Sequence, residues 1–295
     1  MNGEDQINAL KKNFEIALQN DTENWGEKNA LQDACKYSLL SGGKRIRPLC
    51  TLSIAEAISP GLDALEAALA IEYMHTASLI IDDLPCMDND DYRRGVPSVH
   101  KVFGETTALL ASYALINLSY EKIYRATCNL ENSHTVSSSN AREAGLLALK
   151  EASYASGLHG ATGGQFLDLF SKNKDLDTLK EIFHKKTVAL FEAAFLFGWL
   201  FGGGECGLVD QIKEIAKHFG MAFQIADDLQ DQEQDRKRKE GVNVALLVGL
   251  EKTHLLYNQE IEFLKKKSET LSISFDFKFL LHYKFDNILD FTSKI

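Results

Sequence analysis

The stretch Ser78-Leu79-Ile80-Ile81-Asp82-Asp83-Leu84-Pro85-Cys86-Met87-Asp88-Asn89-Asp90-Asp91-Tyr92-Arg93-Arg94-Gly95 joins an apolar run to a knot of carboxylates, then to two arginines and a glycine. The apolar run closes a helical pattern that begins near Asp63. Pro85 cannot continue it, because its ring removes a donor and clashes with the preceding turn. The acids therefore fall where a buried helix gives way to a loop. Carboxylates crowded this way repel one another unless a cation sits among them, and hard oxygen ligands suit Mg2+. Mg2+ takes one or two protein carboxylates and fills its octahedron with water and phosphate oxygens. The planar forks of Arg93 and Arg94 match phosphate oxygens too. Taken alone, the same residues also read as a solvated acidic turn.

A second acidic cluster shifts that balance. Phe223-Gln224-Ile225-Ala226-Asp227-Asp228-Leu229-Gln230-Asp231 again follows an apolar helical run. Asp227 and Asp231 stand at i and i+4, on one helix face, where like charges weaken a helix unless a cation bridges them. A basic stretch, Gly42-Gly43-Lys44-Arg45-Ile46-Arg47-Pro48, lies at the start of a third helical pattern, with Pro48 in its first turn. Backbone amides at a helix start point at anions, so Lys44 and Arg47 are candidates for phosphate binding. His75 lies seven residues before Asp82, two turns back on nearly the same face. A lone histidine on an apolar face is more often a core residue than a ligand.

The whole chain narrows the class. It has 295 residues with 45% hydrophobic and 25% charged side chains, ordinary for a globular protein. Only 4 prolines, and no strand–turn–strand rhythm, favour an all-α fold. The net charge of −10 argues against nucleic acid or an anionic membrane as the main partner. The 5 cysteines are irregularly spaced, which reads as reduced thiols and a cytoplasmic protein rather than a disulfide framework. The start of the chain lacks the layout of a signal peptide. The most apolar run, Val188 to Gly204, carries Glu192 and is short of the ~20 residues of a membrane span. No integral membrane segment is expected.

Helical spacing predicts helices over Gln6–Gln19, Asp33–Leu40, Arg47–Ile58, Asp63–Asp82, Thr106–Arg125, Arg142–Ser156, Gly160–Phe170, Leu176–Leu200, Leu208–Asp231 and Val244–Lys267. Cys128 to Ala141 reads as a polar surface loop, and Gln232 to Asn243 as a second loop. Phe275 to Phe291, aromatic and basic, reads as a final packing helix. With no repeat or low-complexity linker, residues 1–295 are expected to form one domain.

In order along the chain, these motifs resemble the trans-polyprenyl diphosphate synthases, which include the farnesyl and geranylgeranyl diphosphate synthases. Asp82-Asp83, four residues, then Asp88 and Arg93-Arg94-Gly95 resemble that family's first aspartate-rich motif, and Asp227-Asp228-Leu229-Gln230-Asp231 its second. Gly42 to Pro48, Gly164-Gln165-Phe166-Leu167-Asp168 and Lys186-Thr187 are similar to further family signatures. The resemblance covers about Leu39 to Lys252. It implies a helical bundle of the isoprenoid synthase type with a central apolar cavity, a homodimer, and head-to-tail joining of isopentenyl diphosphate to an allylic diphosphate.

It further implies roles for single residues. Asp82, Asp88 and Asp227 would hold Mg2+. Arg93, Lys186, Thr187 and Gln224 would grip the allylic diphosphate, and Lys44, Arg47, His75 and Arg94 the isopentenyl diphosphate. A bulky aromatic five residues before the first Asp tends, in the family, to stop growth at fifteen carbons; Ala77 stands there and leans the reading to twenty, with Tyr113 or Phe166 as alternative floors. Three departures stand out. Ile81 replaces a polar residue, Ser112-Tyr113 replaces Gly-Asp, and the stretch after Asp231 is short, with Lys237 and Lys239 both candidates for its lysine. A terpene cyclase and a non-catalytic partner subunit are the competing readings; the basic motif disfavours the first and the two intact acidic motifs the second.

Overall fold

A computed structural model describes residues 3–26, 28–172, 175–238, 243–271, 277, 280, 281 and 285. Helix accounts for nearly all of the regular structure among them, in the order α1 (Gly3–Glu23), α2 (Ala30–Leu40), α3 (Ile46–Ile58), α4 (Leu65–Asp82), α5 (Val99–Phe103), α6 (Glu105–Asn132), α7 (Ser138–Ser156), α8 (Ala161–Phe170), α9 (Leu176–Phe183), a π-helical turn (His184–Val188), α10 (Ala189–Phe201), α11 (Val209–Arg238), α12 (Val244–Val248) and α13 (Leu250–Thr270). A two-residue hairpin, β1 (Tyr92–Arg93) against β2 (Val96–Pro97), pairs Arg93 with Val96. The all-α expectation holds. The described chain falls into two compact units, Met1–Ala152 with Phe197–Cys206, and Ser153–Leu196 with Gly207–Ile295.

In the first unit α4 packs on α6 and α3. A helix apolar on most sides belongs in a core, and α4 buries Ala67, Ala68, Leu69, Ala70, Ile71, Tyr73, Met74, Ala77 and Ile80. Its many alanines let neighbours approach closely; Ser112 Oγ of α6 donates to the Ala77 carbonyl at 3.0 Å. Two charged networks are buried beside this apolar helix. Lys122 bonds Asp21, which also accepts from the Tyr73 hydroxyl, and lies 3.0 Å from Glu66. Arg45 meets Glu72 and Glu15.

In the second unit α11 packs on α13 and on the π-helical turn. Phenylalanines fill the centre: Phe191 and Phe223 rings lie 4.9 Å apart, Phe195 and Phe219 5.1 Å. Phe277 stacks on Phe195 at 5.2 Å and Phe285 meets Phe223 at 5.2 Å. The aromatic C-terminal stretch thus feeds this core, while the rest of Phe275–Phe291 lies outside the described residues apart from Leu280 and Leu281, also buried.

Several expected boundaries move. The loop expected over Cys128–Ala141 shrinks to 133–137, because α6 runs to Asn132 and α7 starts at Ser138. Ser137 caps α7 by accepting from the Asn140 amide at 3.2 Å, so a serine-rich run that looked like loop is a helix start. The loop expected over Gln232–Asn243 is helical through Arg238, and Lys239 lies outside the described residues. The long helix expected over Leu176–Leu200 is interrupted by the π-helical turn. Gly249, at φ +83°, divides α12 from α13 where one helix was expected; glycine reaches that conformation at little cost.

Candidate functional site

The first acidic motif is shaped by backbone rather than by side chains. After α4 ends, the Asp88 amide donates to the Asp82 carbonyl at 2.9 Å, and the Met87 and Asn89 amides donate to the Leu84 carbonyl at 2.9 and 3.1 Å. Asn89, at φ +52°, turns the chain. This fold-back returns Asp88, six residues on, to the helix end that carries Asp82. Asp82 is half-buried and Asp88 exposed. Asp83 is different: 3% exposed, it receives the Nε of Arg93 at 2.8 Å and also its Nη2, while Asp90 lies 3.2 Å from the same guanidinium. Burial pushes the Asp83 carboxyl up, against the pull of Arg93. Asp83 thereby fixes Arg93, the residue expected to grip an allylic diphosphate.

The basic motif stands in the same unit. Gly42 and Gly43, both at positive φ, lead into Arg45, itself left-handed at φ +57°, and α3 follows. Lys44 is exposed on this turn. Arg47 Nη1 stands 3.5 Å from His75 Nε2. Arg94, at φ +54° in the hairpin, donates to the Gly42 carbonyl. Lys44, Arg47, His75 and Arg94, expected to serve one diphosphate, are thus borne on three neighbouring elements of one unit. Burial, then the charges of Arg47 and Arg94, hold the His75 imidazole well below its ordinary pKa, so it is neutral at pH 7. Arg45, which the sequence reading left without a role, is the most deeply held cation of the motif. A buried arginine is legible only when its carboxylate partners are known.

The second unit builds its motif on a continuous helix. Asp227 and Asp231 are half-buried on α11. Asp228, 6% exposed, accepts from Gln224 Nε2 at 2.8 Å and from the Val244 amide at 2.6 Å, and its carbonyl accepts from Asn243 Nδ2 at 2.8 Å. Gln224 Oε1 in turn accepts from Thr187 Oγ1 at 2.7 Å. Thr187 and Lys186 lie on the π-helical turn, a device found frequently at functional sites. Lys186 Nζ is 2.7 Å from Asp168 Oδ2 on α8. Gly164 lets α8 come this close; a Cβ there would run into the Lys186 backbone, with the Lys185 carbonyl carbon at 2.8 Å.

The donors fit Mg2+ in kind. Among the described residues no three histidine, cysteine, aspartate or glutamate side chains form a closed cage, and Mg2+ does not ask for one: a pair of carboxylates such as Asp82 and Asp88, plus water and substrate phosphate, suffices. Three positions are expected to bear on product length. Ala77 is only 1% exposed, whereas Tyr113 and Phe166 are 69% and 61% exposed. Among the described residues no helix is long and apolar enough to cross a membrane.

Comparison with known proteins agrees with this geometry. The polyprenyl synthetase family model matches residues 28–243. A geranylgeranyl pyrophosphate synthase from Capsicum annuum, chloroplastic, is 38% identical over 209 residues, 70% of this chain and 54% of that protein. Geranylgeranyl pyrophosphate synthase 3 from Arabidopsis thaliana, also chloroplastic, is 37% identical over 262 residues, 83% of this chain and 69% of that protein. Against several such relatives the match spans little more than half of their length. An FPP/GFPP synthase from Zymomonas mobilis, an apo crystal structure, superposes with a TM-score of 0.77 at 32% identity, over 90% of this chain and 93% of that one. A geranyltranstransferase from Thermotoga maritima gives 0.76 at 27% identity, over 98% and 100%. The matched span carries the basic motif, both acidic motifs and the π-helical turn, and on that ground the chain belongs to the polyprenyl synthetase family.

Proposed function

We propose that this chain is a Mg2+-dependent prenyltransferase that joins isopentenyl diphosphate head to tail to dimethylallyl, geranyl or farnesyl diphosphate, giving farnesyl or geranylgeranyl diphosphate. The observation that carries the reading is that Arg47 meets His75 and Arg94 meets the Gly42 turn that carries Lys44, in the same unit as the Asp82–Asp88 loop. A cyclase, which binds one diphosphate, has no need of a second cationic set apart from the acidic one. In this reading Lys44, Arg47 and Arg94 take the charge of the isopentenyl diphosphate, and neutral His75 adds a hydrogen bond without repelling its arginine neighbour. Fixing that substrate turns a two-body encounter into an oriented step. Arg93, Lys186, Thr187 and Gln224 bind the allylic diphosphate. Asp82, Asp88 and Asp227 would hold Mg2+, which when bound neutralises charge building on the departing diphosphate. In this reading Arg93, held by Asp83, and Lys186, held by Asp168, would each supply positive charge for the departing diphosphate, a kind of contribution that is usually the largest in catalysis. No protein base is assigned; the released diphosphate can take the proton.

The matched span takes in residues of both units, which supports reading 1–295 as one functional domain. Twenty carbons is the favoured product length, supported by the small side chain of Ala77 and by the names of the plant relatives. A homodimer is the proposed assembly: α6 exposes Leu109, Leu110, Tyr113 and Tyr124, and α7 exposes Leu146 and Leu149, an apolar surface suited to a second copy. All five cysteines are free thiols, in keeping with a reducing compartment such as the cytoplasm.

The deciding experiment is incubation of the purified protein with Mg2+, isopentenyl diphosphate and each allylic starter, followed by chromatography. A linear twenty-carbon product supports the full reading, and a stop at fifteen moves the floor of the pocket. A cyclic hydrocarbon formed without isopentenyl diphosphate would replace the reading by a cyclase. Absence of any product would favour a partner subunit; two relatives from Arabidopsis thaliana are named large subunits of heterodimeric geranylgeranyl pyrophosphate synthases.

A further inference from the structure

We infer that Glu72, a buried carboxylate on α4, is a positioning residue that sets Arg94 for the isopentenyl diphosphate. The inference rests on the function proposed above. Glu72 is 1% exposed in a helix otherwise packed with alanine, isoleucine and leucine. A lone carboxylate in such a place is costly unless cations and donors surround it. Arg45 Nη1 donates to Glu72 Oε1, and Arg94 Nη2 stands 3.9 Å from the same oxygen. Arg45 is satisfied on its other edges: Nε reaches Glu15 Oε1 at 2.9 Å and Nη2 the Leu39 carbonyl at 2.7 Å. Arg94 has fewer such holds, which are the Gly42 carbonyl under Nη1 and Glu72 beyond Nη2.

The glycine pair explains how tightly this hold is shaped. A Cβ on Gly43 would come within 2.8 Å of Arg94 Cζ, so the guanidinium lies flat against the bare backbone of the basic motif. Gly43 is at φ +128°, outside the range of ordinary side chains. One carboxylate therefore faces both the arginine of the basic turn and the arginine of the hairpin. Lys44, Arg45, Arg47 and Arg94 outnumber Glu15 and Glu72 here, so the cluster keeps a positive excess for an anion while Arg94 is prevented from swinging with it. Without Glu72, Arg94 loses the carboxylate beyond Nη2 and keeps only the Gly42 carbonyl under Nη1.

The test is steady-state kinetics on Glu72→Gln, on the double variant Glu72→Gln with Arg45→Gln, and on Gly43→Ala, with calorimetric titration of isopentenyl diphosphate alongside. Glu72→Gln is expected to raise KM for isopentenyl diphosphate about tenfold, the size of one charged hydrogen bond, with KM for the allylic diphosphate within about twofold and kcat little changed. The double variant removes the uncompensated Arg45 charge, so it is expected to regain thermal stability yet keep the weak isopentenyl diphosphate binding. Gly43→Ala, which displaces the same guanidinium with Glu72 intact, is expected to give the same split. Recovery of isopentenyl diphosphate affinity in the double variant, or equal losses for both substrates, would mean that Glu72 only stabilises the fold. Should wild-type protein bind isopentenyl diphosphate by calorimetry but form no product, the proposed reaction fails while the Glu72 inference is still decided by the binding data. Should wild-type protein not bind it at all, both fall.

Discussion

The two acidic motifs have similar letters and different architecture. Asp82 to Asp88 spans the end of α4 and a loop folded back by main-chain hydrogen bonds, whereas Asp227 to Asp231 stays inside α11. They nevertheless share one division of labour. In each Asp-Asp pair the second carboxylate is buried and committed: Asp83 to Arg93, Asp228 to Gln224 and the start of α12. The first of each pair, Asp82 or Asp227, is half-buried. A doubled aspartate is thus a ligand candidate joined to its own anchor. The anchors differ in kind, because Asp83 holds a cation that is 34% exposed on its side chain while Asp228 holds the buried Val244 amide and the half-buried Gln224 amide.

The comparison can be broken most directly at the first aspartates. Asp82→Ala and Asp227→Ala are each expected to lower kcat by at least about 10²–10³-fold, the usual loss for one preorganised electrostatic group, with helix content by circular dichroism unchanged. Near-normal turnover in either would remove that residue from the metal-binding set. The second aspartates come next. Asp228→Ala strands the buried Val244 amide and removes a partner of half-buried Gln224, and is expected to cost about 2–3 kcal/mol in urea unfolding. Asp83→Asn should cost under about 1 kcal/mol, since the Arg93 pair is partly solvated and screened. Equal losses would erase the distinction between the anchors.

Gly164→Ala tests the second unit alone. Its methyl would press on the π-helical turn that bears Lys186 and Thr187, and overpacking of this kind costs about 1–3 kcal/mol. KM for the allylic diphosphate should rise with it, and an unchanged KM would uncouple that turn from binding. The smallest effect concerns the arginine-rich first unit. His75 has its folded pKa depressed, chiefly by burial and then by Arg47 and Arg94, so below about pH 6.5 the unfolded chain takes up a proton that the folded chain refuses. Stability contributed by neutral His75 is therefore present above that pH and lost as pH falls. His75→Gln should flatten the acid limb of a stability–pH curve between about pH 6.5 and 5, by roughly 1 kcal/mol; an unaltered limb would show that His75 is not the group responsible.

Much of this was legible in the chain. Periodicity gave the helices because 3.6-residue spacing reports which face is buried, and two Asp-rich helix ends with a glycine-lysine-arginine turn gave the family. Local rules also misled: the Ser137–Asn140 run, polar enough for a loop, caps and opens α7, and helix continues past Asp231 where a loop was expected. Neither a cap nor a persistent helix can be told from a polar turn without seeing which amides need partners.

What the sequence determined by itself was the class of fold and the inventory of chemistry, since both depend on residue type and short-range spacing. What the tertiary structure decided was the use of each charge. Arg45, Glu72 and Glu15 lie up to 57 residues apart, and only folding shows that they share one network around a buried arginine. Lys186 and Thr187 likewise owe their presentation to a π-helical turn and to the bare backbone of Gly164, 22 residues away. Burial and pairing set the energy of a charge, and both are properties of long-range contacts that no local pattern encodes.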